Sequence, residues 1–511
     1  MSAERHPRWA WRSLRSPVTG YALLAEVLGV GVYLPILGNY FHTEDFDVLH
    51  IITTRGFFDW VFTPSAGHLL LGRNVLFALT YAVAGGNPAP YFWSVLLTHA
   101  VNVAFLFAAI WTATRSARLA CAGTTAWAVT PVNEGTLGWY SYAGHAVATM
   151  TLLTVVWRLL SRARQPAPVP LREAALWVVL LFIGAQTLGH GLAPALALPV
   201  VAVLLLGWGR LSWGVRAMLV GLPAGLLLVY ALVSAQTGVR LVSTPYDAGS
   251  MLVHLLTVGV TTLVAGFAYP LAAYPSPGAY AVALGAGAVL LLGFALGSPA
   301  ARRTMLAVGL IAFAMYAAIA FGRATLYRKF MSTMPVYGAS QSRYHYAAPA
   351  MLAIGVGVAL AQIGARMRLR APWSDVLLWT WLGGAALFYL RSGWTIDHFD
   401  AERRDAEAAI EGIHAAVART PADQLVILLN QPIPSAGRAP YFAGWASIYS
   451  IYFRERPDRP VYFIDRDAAW WYGKLGDTHL TRVLVPPPEG GLAEIACPVH
   501  LPLACMAASI E

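Results

Sequence analysis

Three carboxylates stand within four residues near the start of the chain, Glu44, Asp45 and Asp47, and Asp59 follows shortly after. Closely spaced carboxylates repel one another, so at least one holds its proton more tightly unless a cation sits beside it. A carboxylate made more basic in this way is what removing a proton from a hydroxyl requires. The same cluster also suits a solvated loop start, and the acids alone do not decide between the two.

Two further groups invite the same question. Glu134 closes the run Thr130-Pro131-Val132-Asn133-Glu134, and Tyr140, Tyr142 and His145 follow it. Arg323, Arg328, Lys329, Arg343 and His345 gather late in the chain. Arg grips phosphate through two parallel N–H bonds, so this group suits an anionic ligand such as a lipid phosphate. Attraction to lipid headgroups is the plainer account of it. His99 and Asn102 lie one helical turn apart inside an apolar stretch, where polar side chains face a bundle interior for structure or for a site. Glu26 and Arg73 carry the same two readings.

The elements that position these residues follow from composition. Of 511 residues, 58% are hydrophobic and only 12% are Asp, Glu, Lys or Arg, about half the usual charged share. With a mean hydropathy of +0.57, a single water-soluble globule is excluded. Apolar stretches of about 17 to 22 residues recur, matching the length that crosses a bilayer as a helix. The chain therefore reads as an α-helical multi-pass membrane protein. No P-loop, dinucleotide fingerprint, CxxC pair or HExxH occurs, so an NTPase, a Rossmann dehydrogenase and a zinc protease have no support.

Charge is unevenly spread. Residues 1–391 carry 25 basic and 10 acidic side chains, whereas residues 392–511 carry 10 basic and 15 acidic ones. The Arg clusters sit between apolar spans and read as topology signals rather than as a nucleic-acid surface. Placing them all in the cytoplasm predicts eleven spans, near 18–38, 91–113, 119–132, 143–160, 173–189, 192–209, 217–235, 279–298, 304–322, 348–365 and 374–391. The N-terminus is then cytoplasmic and the C-terminus outside. Apolar stretches at 68–85 and 250–272 do not fit this parity. The first is placed in an outer loop, 39–90, and the second is read as re-entrant or surface-lying. The short loop 131–142 and the loop 322–347 share the outer face. From about 392 the text changes to Ala/Glu/Arg helix (400–419) and β-rich runs at Leu425–Leu429 and Val461–Ile464. This predicts a small extracytoplasmic α/β domain over 392–511. Cys497 and Cys505 lie in it and could form a disulfide in an oxidising exterior, while Cys121 reads as a small core residue.

The order of these pieces resembles the GT-C superfamily of membrane glycosyltransferases, most closely the protein O-mannosyltransferase branch and its bacterial relatives. The resemblance rests on the acidic pair Glu44-Asp45 with Phe46, an Arg-bearing helix from Arg73-Asn74 to Pro88-Ala89-Pro90, and a span with His99 and Asn102. It continues with Pro131-Val132-Asn133-Glu134 leading to Trp139, and with Arg343-Tyr344-His345-Tyr346 running to Pro349. Thr130 stands where relatives often carry His. The resemblance spans roughly residues 18–391.

It implies an inverting transfer of a sugar from a polyprenyl-phosphate donor to an acceptor hydroxyl at the outer face of the cell membrane. The pair Glu44 and Asp45 would be catalytic, with Asp45 as the base. Arg343, with Arg323, Arg328 or Lys329, would hold the departing phosphate. Asp47, Arg73, His99, Glu134, Tyr344 and His345 would shape the cavity. Such donors need no nucleotide site. No cofactor is implied for certain; a divalent metal stays open, though no metal-ligand spacing supports one. The expected partners are the lipid-linked donor and membrane lipids, with an unspecified acceptor and no nucleic acid. Two other readings remain, a flippase or transporter of a lipid-linked glycan, and an inactive relative that binds lipid.

Overall fold

The computed structural model describes residues 16–41, 44–62, 69–187, 189–237, 276–322, 342–367 and 415, and four strands between residues 425 and 497. The side chains of Glu44 and Asp47 are outside this set, as are Arg323, Arg328, Lys329, Cys505, the stretch 250–272, the segment 374–391 and all of 400–419 except residue 415.

The helices are α1 (Pro17–Gly31), α2 (Glu44–Thr54), α3 (Phe57–Val61), α4 (Leu71–Ala84), α5 (Ala89–Thr114), α6 (Ala117–Ala128) and α7 (Glu134–Leu137). They continue as α8 (Gly144–Ala163), α9 (Leu171–Thr187), α10 (Leu192–Leu206), α11 (Trp213–Thr237), α12 (Pro277–Leu296), α13 (Pro299–Gly322) and α14 (Ala347–Met367). Single tight turns of helix join several of them, at Leu34–Gly38, Pro131–Asn133, Tyr140–Tyr142, Gly189–Gly191 and Ser342–His345. The starts are written locally. Ser16, Ser116 and Ser276 each accept a hydrogen bond from the backbone N–H three residues on, satisfying donors that a helix start leaves open.

Eight helical segments among the described residues are long and apolar enough to cross a membrane: α1 with the turn after it, α5, α8, α10, α11, α12, α13 and α14. Large apolar side chains such as Val27, Leu284 and Leu291 remain exposed on them, as a lipid solvent allows. The chain is a multi-pass membrane protein. α5 is central and packs against α1, α6, α8 and α14, while α13 lies between α10 and α14.

The expected span 119–132 takes a different form. α6 has 12 residues and rises about 18 Å, well short of a bilayer core of about 30 Å. Its Cys121, Thr124, Thr125 and Trp127 are buried among neighbouring helices. The following segment, expected to be a loop, is instead a chain of short turns whose Pro131, Val132, Asn133, Thr136, Leu137 and Tyr140 are buried. A helix that stops early leaves its successor inside the protein, and this is how residues 130–142 come to sit among the helices. The stretch 71–84, also assigned to a loop, holds α4, an apolar helix of 14 residues.

The runs Leu425–Leu429 and Val461–Ile464 are strands β1 and β2, joined by β3 (Thr481–Val485) and β4 (Ala493–Cys497). The sheet order is β2-β1-β3-β4. β1 runs parallel to β2 and β3, with Ile427 opposite both Tyr462 and Val483, and β4 is antiparallel to β3, with Val483 opposite Ile495.

Gly29 sets the approach of α1 to α6: a Cβ there would lie 2.6 Å from the Cβ of Ala128. Neither helix has a flexible atom at that point to give way. Gly29→Ala is expected to destabilise by about 1–3 kcal/mol, read as a lower Tm of the detergent-solubilised protein. Gly20→Ala on the same helix, where a Cβ meets nothing within 4 Å, should leave Tm unchanged or slightly higher.

Candidate functional site

Asp45 lies in the first turn of α2 and is fully buried. One carboxylate oxygen, Oδ1, accepts both the backbone N–H of Ser141 at 2.6 Å and its hydroxyl at 2.5 Å. Bonds to an ionised acceptor are the short, strong kind. The residues beside this contact pair as well. Phe46 packs on Phe41, Phe41 on Tyr91, and Tyr91 on Tyr140 at 4.8 Å, with Phe77 against Tyr140 at 4.5 Å. Edge-to-face aromatic pairs of this kind contribute about 0.5–1.5 kcal/mol each beyond area burial. The Tyr140 hydroxyl also meets Thr80 of α4 at 3.0 Å. Asp45 thus holds the 140–142 turn directly, and Phe46 is linked to it through the rings of Phe41 and Tyr91.

Arg343 approaches the same turn from the far end of the chain. Its guanidinium carbon lies 5.0 Å from the Tyr142 ring, 5.8 Å from Trp139 and 5.4 Å from Tyr344. Trp139 and Tyr142 stand edge to face at 4.5 Å, making one side of this cage. Arg343, Trp139 and Tyr142 are each half-buried. α7 is pressed against the Ser342–His345 turn, because a Cβ on Gly135 would run into the Ser342 side chain and lie 2.6 Å from the Arg343 nitrogen. Glu134, half-buried, begins that helix.

The turn that carries Arg343 is anchored by its neighbours. The Tyr346 hydroxyl meets His99 Nδ1 at 2.8 Å and accepts from the Asn102 side-chain amide at 3.2 Å. Asn102 also donates to the Ala146 carbonyl at 2.9 Å, and the Trp127 indole donates to the Tyr346 carbonyl at 2.7 Å. His345 shares a hydrogen bond with Tyr316 of α13 at 3.0 Å. The 130–138 segment is tied down in turn. Tyr33 donates to the Thr130 carbonyl, Asn133 to that of Trp127 at 2.8 Å, and Asn39 to that of Gly138 at 3.3 Å.

The positions singled out from the sequence thus divide as follows. Asp45 and Arg343 meet on one segment, residues 139–142, although nearly 300 residues separate them in the chain. The Tyr344 ring packs on Arg343, Glu134 begins the helix pressed against the Arg343 turn, and His99 and His345 anchor that turn through Tyr346 and Tyr316. Arg73, buried in the first turn of α4, donates to Asn74 and lies 5.9 Å over Trp60. Asn74 in turn donates to the carbonyls of Trp60 and Val61, so this pair braces α3 on α4. His50, on α2, is pushed below the usual imidazole range by burial and then by the charge of Arg55. Among the described residues no three His, Cys, Asp or Glu side chains gather into a group that would hold a metal.

Ser141 and His190 carry no role in the sequence analysis, and Trp139 and Tyr142 enter it only as neighbours of Glu134. Ser141 holds the carboxylate, Trp139 and Tyr142 form the cage, and the His190 ring is tilted against that of His145 with centroids 3.9 Å apart. The run Trp139-Tyr140-Ser141-Tyr142, five residues after Glu134, was the available signal for the turn. The placement of His190 between two glycines, at the junction of two apolar segments, was the signal for the His pair.

Ser141→Ala is expected to remove one charge-assisted bond from a buried carboxylate and to destabilise by about 1.5–3 kcal/mol, measured as a fall in Tm. The backbone N–H bond to Asp45 survives the change, so the protein should still fold.

No family model matches this chain, and no curated protein matches it. Among solved structures it is similar to ArnT from Cupriavidus metallidurans in the apo state, at a TM-score of 0.49 and 16% identity, over 93% of this chain and 94% of that one. It is likewise similar to the same protein bound to undecaprenyl phosphate, at a TM-score of 0.48 and 14% identity, over 94% and 93% of the two chains. The Archaeoglobus fulgidus oligosaccharyltransferase in complex with Zn and sulfate gives a TM-score of 0.42 and 10% identity, over 87% of this chain and 62% of that one.

Proposed function

We propose that this chain is an inverting membrane glycosyltransferase of the GT-C type, moving a sugar from a polyprenyl-phosphate donor to an acceptor hydroxyl. The observation that carries the reading is the convergence of a buried carboxylate, Asp45, and an aromatic-caged cation, Arg343, on residues 139–142. A base and a phosphate-binding group drawn to one turn are what displacement of a phosphate from an anomeric carbon would use.

In this mechanism the Asp45 carboxylate takes the proton of the acceptor hydroxyl as its oxygen attacks the anomeric carbon. The bond from that carbon to the phosphate oxygen breaks, and its electron pair leaves on the polyprenyl phosphate. Arg343 stabilises the charge that develops there, in a site where a fixed positive group acts more strongly than in water. Aromatic rings hold a guanidinium without cancelling its charge, so Arg343 stays able to grip phosphate while its position is fixed. Arg323, Arg328 and Lys329 are further cations proposed for the same phosphate, Glu44 supports Asp45, and Asp47, Arg73, His99, Glu134, Tyr344 and His345 shape the cavity. Asp45 is closed to solvent, so the acceptor reaches it only by displacing the side chains that cover it. The branch closest to protein O-mannosyltransferases, the outer-face location of the site and the extracytoplasmic 392–511 domain belong to the same proposal, as does a cytoplasmic N-terminus.

The test is sugar transfer or release from a panel of polyprenyl-phosphate sugars by purified protein. Asp45→Asn keeps an oxygen to accept from Ser141 but gives up the base, and should lower kcat by about 10²–10⁴-fold with donor binding retained. Arg343→Lys should weaken donor binding as well as turnover, because a point charge replaces a bidentate fork. Full turnover in Asp45→Asn would overturn the assignment of the base. Donor that binds but never turns over in the wild type would favour a lipid-binding relative instead.

A further inference from the structure

We infer that His145 and His190 form the subsite that reads the hydroxyl groups of the sugar on the donor, an inference that rests on the glycosyl-transfer reading. Both rings are buried, at 3% and 8% exposure, and their centroids lie 3.9 Å apart. They come from separate elements: His145 from the first turn of α8 and His190 from the Gly189–Gly191 turn between α9 and α10.

Their meeting is built by the backbone. A Cβ on Gly191 would run into the Gly184 carbonyl group, whose carbon is at 2.7 Å, and lie 3.2 Å from the nitrogen of Ala185. A Cβ on Gly184 would run into the Thr151 hydroxyl and lie 3.6 Å from the Cα of Ala148. Two glycines thus let the end of α9, the 189–191 turn and the first turns of α8 close on one another. The two imidazoles are held at the end of that junction.

The pair continues the site already described. The Tyr142 ring that lies 5.0 Å from the Arg343 guanidinium also lies 5.7 Å from the ring of His145. Arg343, Tyr142, His145 and His190 are therefore linked by successive contacts. A donor phosphate gripped by Arg343 carries its sugar one bond away, and the next groups along this line are the two imidazoles. A neutral imidazole presents one donor and one acceptor nitrogen, which matches a hydroxyl that both donates and accepts. The polyprenyl chain, by contrast, wants apolar surroundings. A few fixed polar groups in an otherwise apolar pocket give orientation and selectivity, and a site built to bond a hydroxyl strongly rejects an analogue that lacks it.

The experiment compares two ligands on the full-length protein in nanodiscs, bare polyprenyl phosphate and polyprenyl-phosphate hexoses, with wild type, His145→Ala, His190→Ala and His190→Gln. The expected result is that each Ala variant binds sugar-bearing donor about tenfold more weakly, the loss of roughly one or two hydrogen bonds. Binding of bare polyprenyl phosphate stays unchanged, and His190→Gln recovers part of the loss. Equal weakening of both ligands would mean that the rings only support the fold, and no change in either would mean that the sugar lies elsewhere; each overturns the inference. Failure of the wild type to bind even bare polyprenyl phosphate would overturn the glycosyl-transfer reading itself, and it shows before any variant is made.

Discussion

A carboxylate with no exposed surface, accepting two hydrogen bonds from a single residue, is the contact on which the site depends. Burying an unpaired charge is costly enough that a group in this position would rather change its protonation or leave. Asp45 stays because Ser141 turns both its backbone N–H and its hydroxyl onto one oxygen. The same bonds dictate the course of residues 139–145, since a turn held by its backbone nitrogen cannot slide. Trp139 and Tyr142 are thereby placed together against Arg343, and His145 is carried into the first turn of α8.

The surrounding helices explain why such a turn survives inside the protein. α6 stops after 12 residues, so the chain has to make its way on in short turns among its neighbours. Turns inside a protein bring backbone groups that need partners. Tyr33, Asn39 and Asn133 supply three of them, donating to the carbonyls of Thr130, Gly138 and Trp127. Polar side chains inside an apolar bundle thus work mainly on the backbone of residues 127–138, and the bundle keeps α1, α5 and α6 as the fixed frame. The turn bearing Arg343 is treated in the same way, its Tyr346 pinned from α5 by His99 and Asn102 and from α6 by Trp127.

Much of this was legible in the residues. Apolar runs marked α5, α8, α10, α11, α12, α13 and α14 because lipid-facing helices must be apolar along their whole length. Hydropathy could not separate α6 from them. Its apolar residues pack against protein, and the pattern does not record what an apolar side chain faces. His99 and Asn102, spaced by one turn, read correctly as an inward-facing pair, but their partner Tyr346 lies more than 240 residues away. No local spacing reveals such a contact. Ser141 escaped notice for a different reason. A serine between tyrosines is unremarkable until a carboxylate from another element is placed against its backbone nitrogen. The two strands Leu425–Leu429 and Val461–Ile464 showed as unbroken apolar runs, whereas Arg482 interrupts β3, and Glu494 with two alanines dilutes the signal of β4.

The arrangement of the two charges bears on how the site can be both rigid and reactive. Asp45 is fixed by hydrogen bonds and Arg343 by ring faces, two different kinds of restraint. The two hydrogen bonds from Ser141 fix one carboxylate oxygen of Asp45. The rings around Arg343 hold its position without neutralising its charge. Because both sets of contacts involve Ser141 and Tyr142, adjacent residues of one turn, a shift of that turn would move the surroundings of Asp45 and Arg343 together. For the sugar transfer proposed above, that coupling would help preserve the relative placement on which a displacement depends.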